Sequence, residues 1–115
     1  MRKNQGQLRI IGGQWKSRKL PILNSEGLRP TTDRVRETLF NWLQFDIAGA
    51  VAIDLFAGSG GLGFEAASRG ARQVVMVEKD HRVANQLQQN VALLGADNIT
   101  VLTTDALQLM QSPSS

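Results

Sequence analysis

The feature that most constrains this chain is a run of glycines between an apolar segment and a helical one. Ala50-Val51-Ala52-Ile53-Asp54-Leu55-Phe56 reads as a buried strand, and Gly58-Ser59-Gly60-Gly61-Leu62-Gly63 turns it into a helix that ends near Gly70. The alternation then continues. Gln73-Val74-Val75-Met76-Val77-Glu78 is a second strand, residues 80–94 are a helix striped by Val83, Leu87, Val91 and Leu94 with Gly95 as its C-cap, and residues 98–103 are a third strand. Strands alternating with helices predict an α/β fold with a parallel sheet built by right-handed crossovers. Such sheets bind ligands beyond the carboxyl ends of their strands. Asp54, Glu78 and Asp105 each lie at or just past a strand end, so the three are expected to converge on one crevice.

Upstream of this unit, Leu8-Arg9-Ile10-Ile11 and Leu20-Pro21-Ile22-Leu23 flank Gly12-Gly13 and the basic stretch Lys16-Ser17-Arg18-Lys19, predicting a small hairpin. Thr32 and Asp33 suit a helix start, and the helix is expected to run to about Phe45 with Val35, Leu39, Trp42 and Leu43 on its inner face. Trp42 and Met76 are therefore read as core. His81, the only histidine, is read as an exposed first-turn residue, and Trp15 is equally suited to stacking on a base or packing on the body.

The chain has 115 residues, room for one small domain, and no cysteine, which removes disulfides and thiolate–metal sites. No apolar run approaches the roughly 20 residues that cross a bilayer, and the polar start lacks a secretory core, so no membrane partner and a cytoplasmic location are expected. No metal-ligand cluster or nucleophilic triad is visible, and no metal is expected. The net charge of +3 is unevenly placed: residues 1–36 hold nine Lys/Arg against two acids, a net +7, whereas residues 37–115 hold four against eight, a net −4. A basic arm before an acidic body fits an arm that meets a polyanion and a body that binds something else, the plainer alternative being a solvated tail.

The ligand of the body can be narrowed. Gly58, Gly60 and Gly63 match G-x-G-x-x-G at a strand-to-helix turn, and Glu78 stands twenty positions after Gly58, where an acid can grip ribose hydroxyls. Together they indicate an adenosine-type ligand. A dinucleotide would bring its anionic pyrophosphate to the helix start, where Asp54 repels it. S-adenosylmethionine carries a sulfonium and an ammonium, both favoured beside carboxylates. Asp105 is placed to accept a hydrogen bond from an exocyclic amine. A branched side chain at Gly60 is expected to block binding, because the backbone must approach the ligand there.

Asp54-Leu55-Phe56-Ala57-Gly58-Ser59-Gly60-Gly61-Leu62-Gly63 resembles the first motif of class I methyltransferases, Val77-Glu78-Lys79-Asp80 the second and Thr104-Asp105-Ala106 the third. Leu28-Arg29-Pro30-Thr31-Thr32-Asp33-Arg34-Val35-Arg36-Glu37 with Arg9-Ile10-Ile11-Gly12-Gly13-Gln14-Trp15-Lys16 is narrower, and is similar to the bacterial small-subunit ribosomal RNA guanine-N2 methyltransferase D family. The resemblance implies a Rossmann-like sheet, part of the class I methyltransferase fold, preceded by a short basic β-hairpin. It implies S-adenosylmethionine as cofactor, transfer to the exocyclic N2 of a guanine, and small-subunit ribosomal RNA or the assembled small subunit as partner. By position, Asp54, Phe56, Ala57, Gly58 and Gly60 would surround the methionine part of the cofactor. Glu78 with Lys79 would meet the ribose, and Asp105 with Ala106 the adenine. Arg9, Lys16, Arg18, Lys19, Arg29 and Arg34 would face RNA, with Thr32 and Glu37 on the helix beside the pocket.

The expected division is a basic extension over residues 1–30, a cofactor-binding half-domain over 31–111 and a disordered tail over 112–115. The family's Asp/Asn-Pro-Pro-Phe/Tyr motif, which holds the target amine, is absent: Pro21, Pro30 and Pro113 are the only prolines and none are adjacent. No catalytic residue is therefore assigned, and the chain is expected to be the N-terminal part of such an enzyme, inactive by itself. The rival readings are a DNA or protein N-methyltransferase, an RNA-binding module that keeps the cofactor fold without turnover, and, disfavoured by Asp54, a nicotinamide-dependent oxidoreductase.

Overall fold

The computed structural model describes residues 5–23, 33–55, 57–105 and 107–108. The hairpin forms as expected: β1 (Gln5–Arg9) pairs antiparallel with β2 (Lys19–Leu23), Leu8 opposite Leu20 and Gly6 opposite Ile22. Period-2 alternation puts Leu8, Ile10, Leu20 and Ile22 on one face, and all four are buried in the same apolar cluster as the rest of the chain. The hairpin is thus a packed layer, and the solvated tail is excluded for residues 5–23.

After α1 (Asp33–Trp42) come β3 (Val51–Asp54), α2 (Gly61–Ser68), β4 (Gln73–Glu78), α3 (His81–Leu94) and β5 (Ile99–Thr103). The three later strands form a parallel sheet in the order β3-β4-β5. Along the register, Ala52, Val74 and Ile99 line up, as do Asp54, Met76 and Val101. This face packs on the helices: Val74 and Met76 are fully buried, and Gly63 of α2 lies so close over Met76 that a Cβ there would stand 2.5 Å from its methyl. The expected α/β fold, a Rossmann-like parallel sheet with a basic hairpin, is the fold observed.

Both ends of α3 are closed by local chemistry. Asp80 caps α3, its carboxylate accepting from the Arg82 and Val83 amides at 2.9 and 3.4 Å, and Gly95 closes the helix at φ 63°. His81 is exposed and Met76 is core. Trp15 packs half-buried against the body rather than standing clear of it.

Two expectations fail. The strand at 50–56 reads as buried, but β3 leaves Val51 and Ile53 exposed, Ile53 at 63%. Among the described residues, β3 pairs only with β4, and Val51, Ile53 and Leu102 stand exposed on one sheet face, whereas Val77 on that face is buried. Second, α1 ends at Trp42 and is rotated about its axis relative to the expected stripe, of which Leu39 and Leu43 still pack against the core. Val35 and Trp42 are 55% and 78% exposed, while Arg36 and Phe40, one turn apart, face inward. Periodicity counts an arginine as outward, whereas here an internal carboxylate draws Arg36 in.

Candidate active site

A crevice of about 380 Å³ opens beyond the carboxyl ends of β3, β4 and β5, lined by Leu55, Gly58, Val77, Glu78, Lys79, Thr104, Asp105 and Leu107. Its floor is the glycine turn. The Ala57 amide donates to the Val77 carbonyl at 3.1 Å, and the Gly60 amide to the Ala57 carbonyl at 2.8 Å, tying the turn to the end of β4. Gly58 and Gly60 both have positive φ, 53° and 86°, which glycine tolerates best.

Glu78 organises the site. Its Oε1 accepts from the Gly58 amide at 2.9 Å and its Oε2 from the Asp80 amide at 3.0 Å, while its own carbonyl accepts from the Thr104 amide at 3.0 Å. One residue therefore joins the glycine turn, the start of α3 and the loop after β5. Two amides fix the plane of the carboxylate, which has about four lone-pair sites. Each oxygen keeps capacity for a further donor from the crevice, as two neighbouring hydroxyls would supply. On the same crevice, Asp105 accepts from the Leu107 amide at 2.8 Å.

The structure thus brings together Gly58, Glu78, Lys79 and Asp105. Asp54 does not join this lining. It lies half-buried at the end of β3 and lines a second, apolar recess of about 170 Å³ with Phe40, Leu43, Ile47 and Leu62. Ala57 is buried beneath the turn. Gly60 faces away from the crevice: a Cβ there would stand 2.5 Å from the Phe64 ring and 2.8 Å from Leu87. Its missing side chain serves the packing of α2 on α3. Phe56 and Ala106 lie outside the described residues.

Of the basic residues expected to face a polyanion, Arg9, Lys16, Arg18, Lys19 and Arg34 are exposed, and Arg29, like Thr32, lies outside the described residues. Arg9 stands 3.4 Å from Asp33, a surface pair of small worth. Arg36, counted in the basic arm, has to be removed from it: the side chain is 1% exposed and pairs with Asp33 at 2.5 Å and Glu65 at 3.0 Å. Sequence reasoning also missed Glu65. The available signal was a single acid in Gly61-Leu62-Gly63-Phe64-Glu65-Ala66-Ala67-Ser68, a helix otherwise made of small and apolar residues.

The family model described as Conserved hypothetical protein 95 matches residues 8–115. The chain belongs to this family. Its relatives include the ribosomal RNA small subunit methyltransferase D of Escherichia coli, 55% identical over 105 residues, which are 91% of this chain and 53% of that protein. The Haemophilus influenzae protein of the same name is 51% identical over 111 residues, 95% of this chain and 58% of that one. The chain spans little more than half the length of these curated relatives. A solved Escherichia coli structure described as the methyltransferase yhhF superposes with a TM-score of 0.87 at 50% identity, covering 93% of this chain and 57% of that one. A Trypanosoma brucei PRMT1 enzyme–prozyme complex with AdoHcy superposes at 0.58 with 26% identity over 70% of this chain and 24% of that one. The family and the class I methyltransferase fold expected from the motifs are both confirmed. No helix among the described residues is long and apolar enough to cross a membrane, and no metal-binding cluster occurs among them.

Proposed function

We propose that this chain carries the cofactor-binding part of an S-adenosylmethionine-dependent methyltransferase acting on the exocyclic N2 of a guanine in small-subunit ribosomal RNA. The observation that carries the reading is the Glu78 carboxylate, held between the Gly58 and Asp80 amides and turned to a crevice that Asp105 also lines. The residues fit the cofactor. About 380 Å³ lies within the usual range of small-molecule sites. Glu78 would accept from the ribose hydroxyls and Asp105 from the adenine amine, and two carboxylates on one crevice disfavour an anionic pyrophosphate there. When bound, the cofactor supplies an electrophilic methyl group. The names of the relatives support the RNA part of the reading, and the PRMT1 complex supports the cofactor.

Glu78→Ala is expected to weaken S-adenosylhomocysteine binding by about 1.5–3 kcal/mol, the range for a hydrogen bond to a charged group. Titration calorimetry reads this directly, and unchanged affinity would place the ribose elsewhere.

The RNA side of the reading rests on the hairpin, where Lys16 and Arg18 are exposed on a loop closed by the Ile10 amide to the Arg18 carbonyl at 2.9 Å and Lys19 is exposed at the start of β2. Replacing the three together by Ala is expected to flatten the dependence of RNA affinity on salt, by about 0.7–0.9 in the log–log slope for each phosphate no longer neutralised. Filter binding to transcribed small-subunit ribosomal RNA between low and moderate salt measures it. An equal slope in the triple variant would mean that the hairpin is not the RNA face.

A further inference from the structure

The loop between β1 and β2 lies against one helix. Glu65 of α2 is fully buried and accepts four hydrogen bonds. Its Oε1 takes the Ile11 amide and the Arg36 guanidinium, both at 3.0 Å; its Oε2 takes the Gly12 amide at 2.9 Å and Arg69 Nε at 2.8 Å. One turn further along, Ser68 Oγ donates to the Gly12 carbonyl at 2.6 Å and accepts from the Trp15 amide at 3.0 Å, while the Ser68 carbonyl accepts from the Gln14 amide at 2.8 Å. Two helix residues thus hold five backbone groups of the loop. The approach is close: a Cβ on Gly13 would stand 1.9 Å from the Ser68 carbonyl oxygen, and Gly13 has φ +83°. The Gly12-Gly13 pair has its physical reason here.

The same helix begins at Gly61, directly after the turn whose Gly58 lines the crevice. At 1.5 Å of rise per residue, Glu65 stands roughly 6 Å along the axis from that start. A rigid piece shorter than two turns therefore connects the cofactor crevice with the loop that presents Lys16 and Arg18. The strands of the hairpin are held separately, by their apolar face and by the buried Asn90 of α3, whose Nδ2 donates to the Pro21 carbonyl at 2.8 Å. Cohesion alone does not call for a buried carboxylate, since burying an ion pair costs about as much as its attraction returns. What four directed bonds provide is a unique orientation.

We propose that Glu65, with Ser68, is a positioning residue that fixes the basic hairpin loop at a set distance and angle from the cofactor crevice, so that phosphate binding by the loop places the target base over the crevice. This rests on the RNA-methyltransferase reading above and goes beyond it, by assigning the coupling between the two surfaces to α2. Lys16 and Arg18 act on the same RNA backbone together only while the loop is held.

The test compares wild type, Glu65→Gln and Ser68→Ala at a temperature where each is folded by circular dichroism. Three quantities are read: affinity for S-adenosylhomocysteine, the salt slope of binding to transcribed small-subunit ribosomal RNA, and hydrogen exchange of the Ile11, Gly12 and Trp15 amides. In both variants, cofactor affinity is expected to stay within about twofold of wild type. The salt slope should fall by at least the share of one phosphate, about 0.7–0.9, and the loop amides should exchange faster. A merely structural role lowers the melting temperature but leaves the slope of the folded protein unchanged. An unchanged slope in a variant with fast-exchanging loop amides overturns the proposal, and so does a parallel loss of RNA and cofactor binding. If Glu65→Gln does not fold, Ser68→Ala decides alone. Failure of the wild type to bind either partner counts against the proposed function itself, so the wild-type arm and the variant arms report on different claims.

Discussion

Incubated with labelled S-adenosylmethionine and methyl-deficient small ribosomal subunits, the 115-residue chain is expected to leave guanine N2 unlabelled. A chimera that joins residues 1–108 to the part of the Escherichia coli relative beyond the match is expected to label it. The sequence contains no adjacent prolines, so the acceptor motif that the family resemblance implies for the target amine is missing. Transfer to an exocyclic amine needs acceptors that turn the nitrogen lone pair toward the methyl. It also needs a wall that holds the flipped base. The structure supplies neither among its described residues: Val51, Ile53 and Leu102 stand exposed on one sheet face, and β3 pairs on one edge only. Orientation and proximity can contribute about 7–11 kcal/mol to a bimolecular step. Losing most of that puts turnover below detection. Label in guanine N2 with the short chain would show that its own residues hold the amine.

Glu65→Ala is expected to cost about 3–5 kcal/mol of folding stability, the range for breaking a buried ion pair from one side. The change removes the acceptor of the Ile11 and Gly12 amides and of Arg69, and leaves the buried Arg36 guanidinium, which also bonds Asp33 and the Arg9 carbonyl, with one carboxylate fewer. Against a total of about 5–15 kcal/mol for a domain this is a large fraction. The readout is the urea midpoint at unchanged slope. Joint replacement of Arg36 by Met and Glu65 by Leu should recover only the part due to the unpaired guanidinium, since the Ile11 and Gly12 amides and Arg69 still lack their acceptor. A cost below about 1 kcal/mol for the single variant would mean that water reaches the cluster.

What is clearly legible in the sequence is local. The glycine turn, the Gly95 stop and the hairpin each depend on residues within a few positions of one another, and each is where it is expected. The convergence of Glu78 and Asp105 follows from topology, because strand ends in a parallel sheet share one edge. The errors are tertiary. The rotation of α1 depends on Glu65, 29 positions from Arg36, and helical periodicity has no means of registering such a partner. Val51 and Ile53 read as buried because strands of parallel sheets are usually covered on both faces, whereas the described helices cover one. Asp54 is expected with the other two acids from its place at a strand end. It pairs with Met76, two residues short of Glu78 along β4, and that register is not legible in the spacing of the motif. At Gly60, motif spacing says that a side chain is excluded but not that the Phe64 ring and Leu87 stand where it would lie.

The central claim is that the crevice takes S-adenosylmethionine and not a dinucleotide. Titration calorimetry of this chain with S-adenosylhomocysteine and, separately, with NAD tests it most directly. The structure predicts heat and a single site for S-adenosylhomocysteine and none for NAD, whose anionic pyrophosphate would enter a crevice lined by the Glu78 and Asp105 carboxylates. Binding of NAD with no binding of S-adenosylhomocysteine would contradict the account.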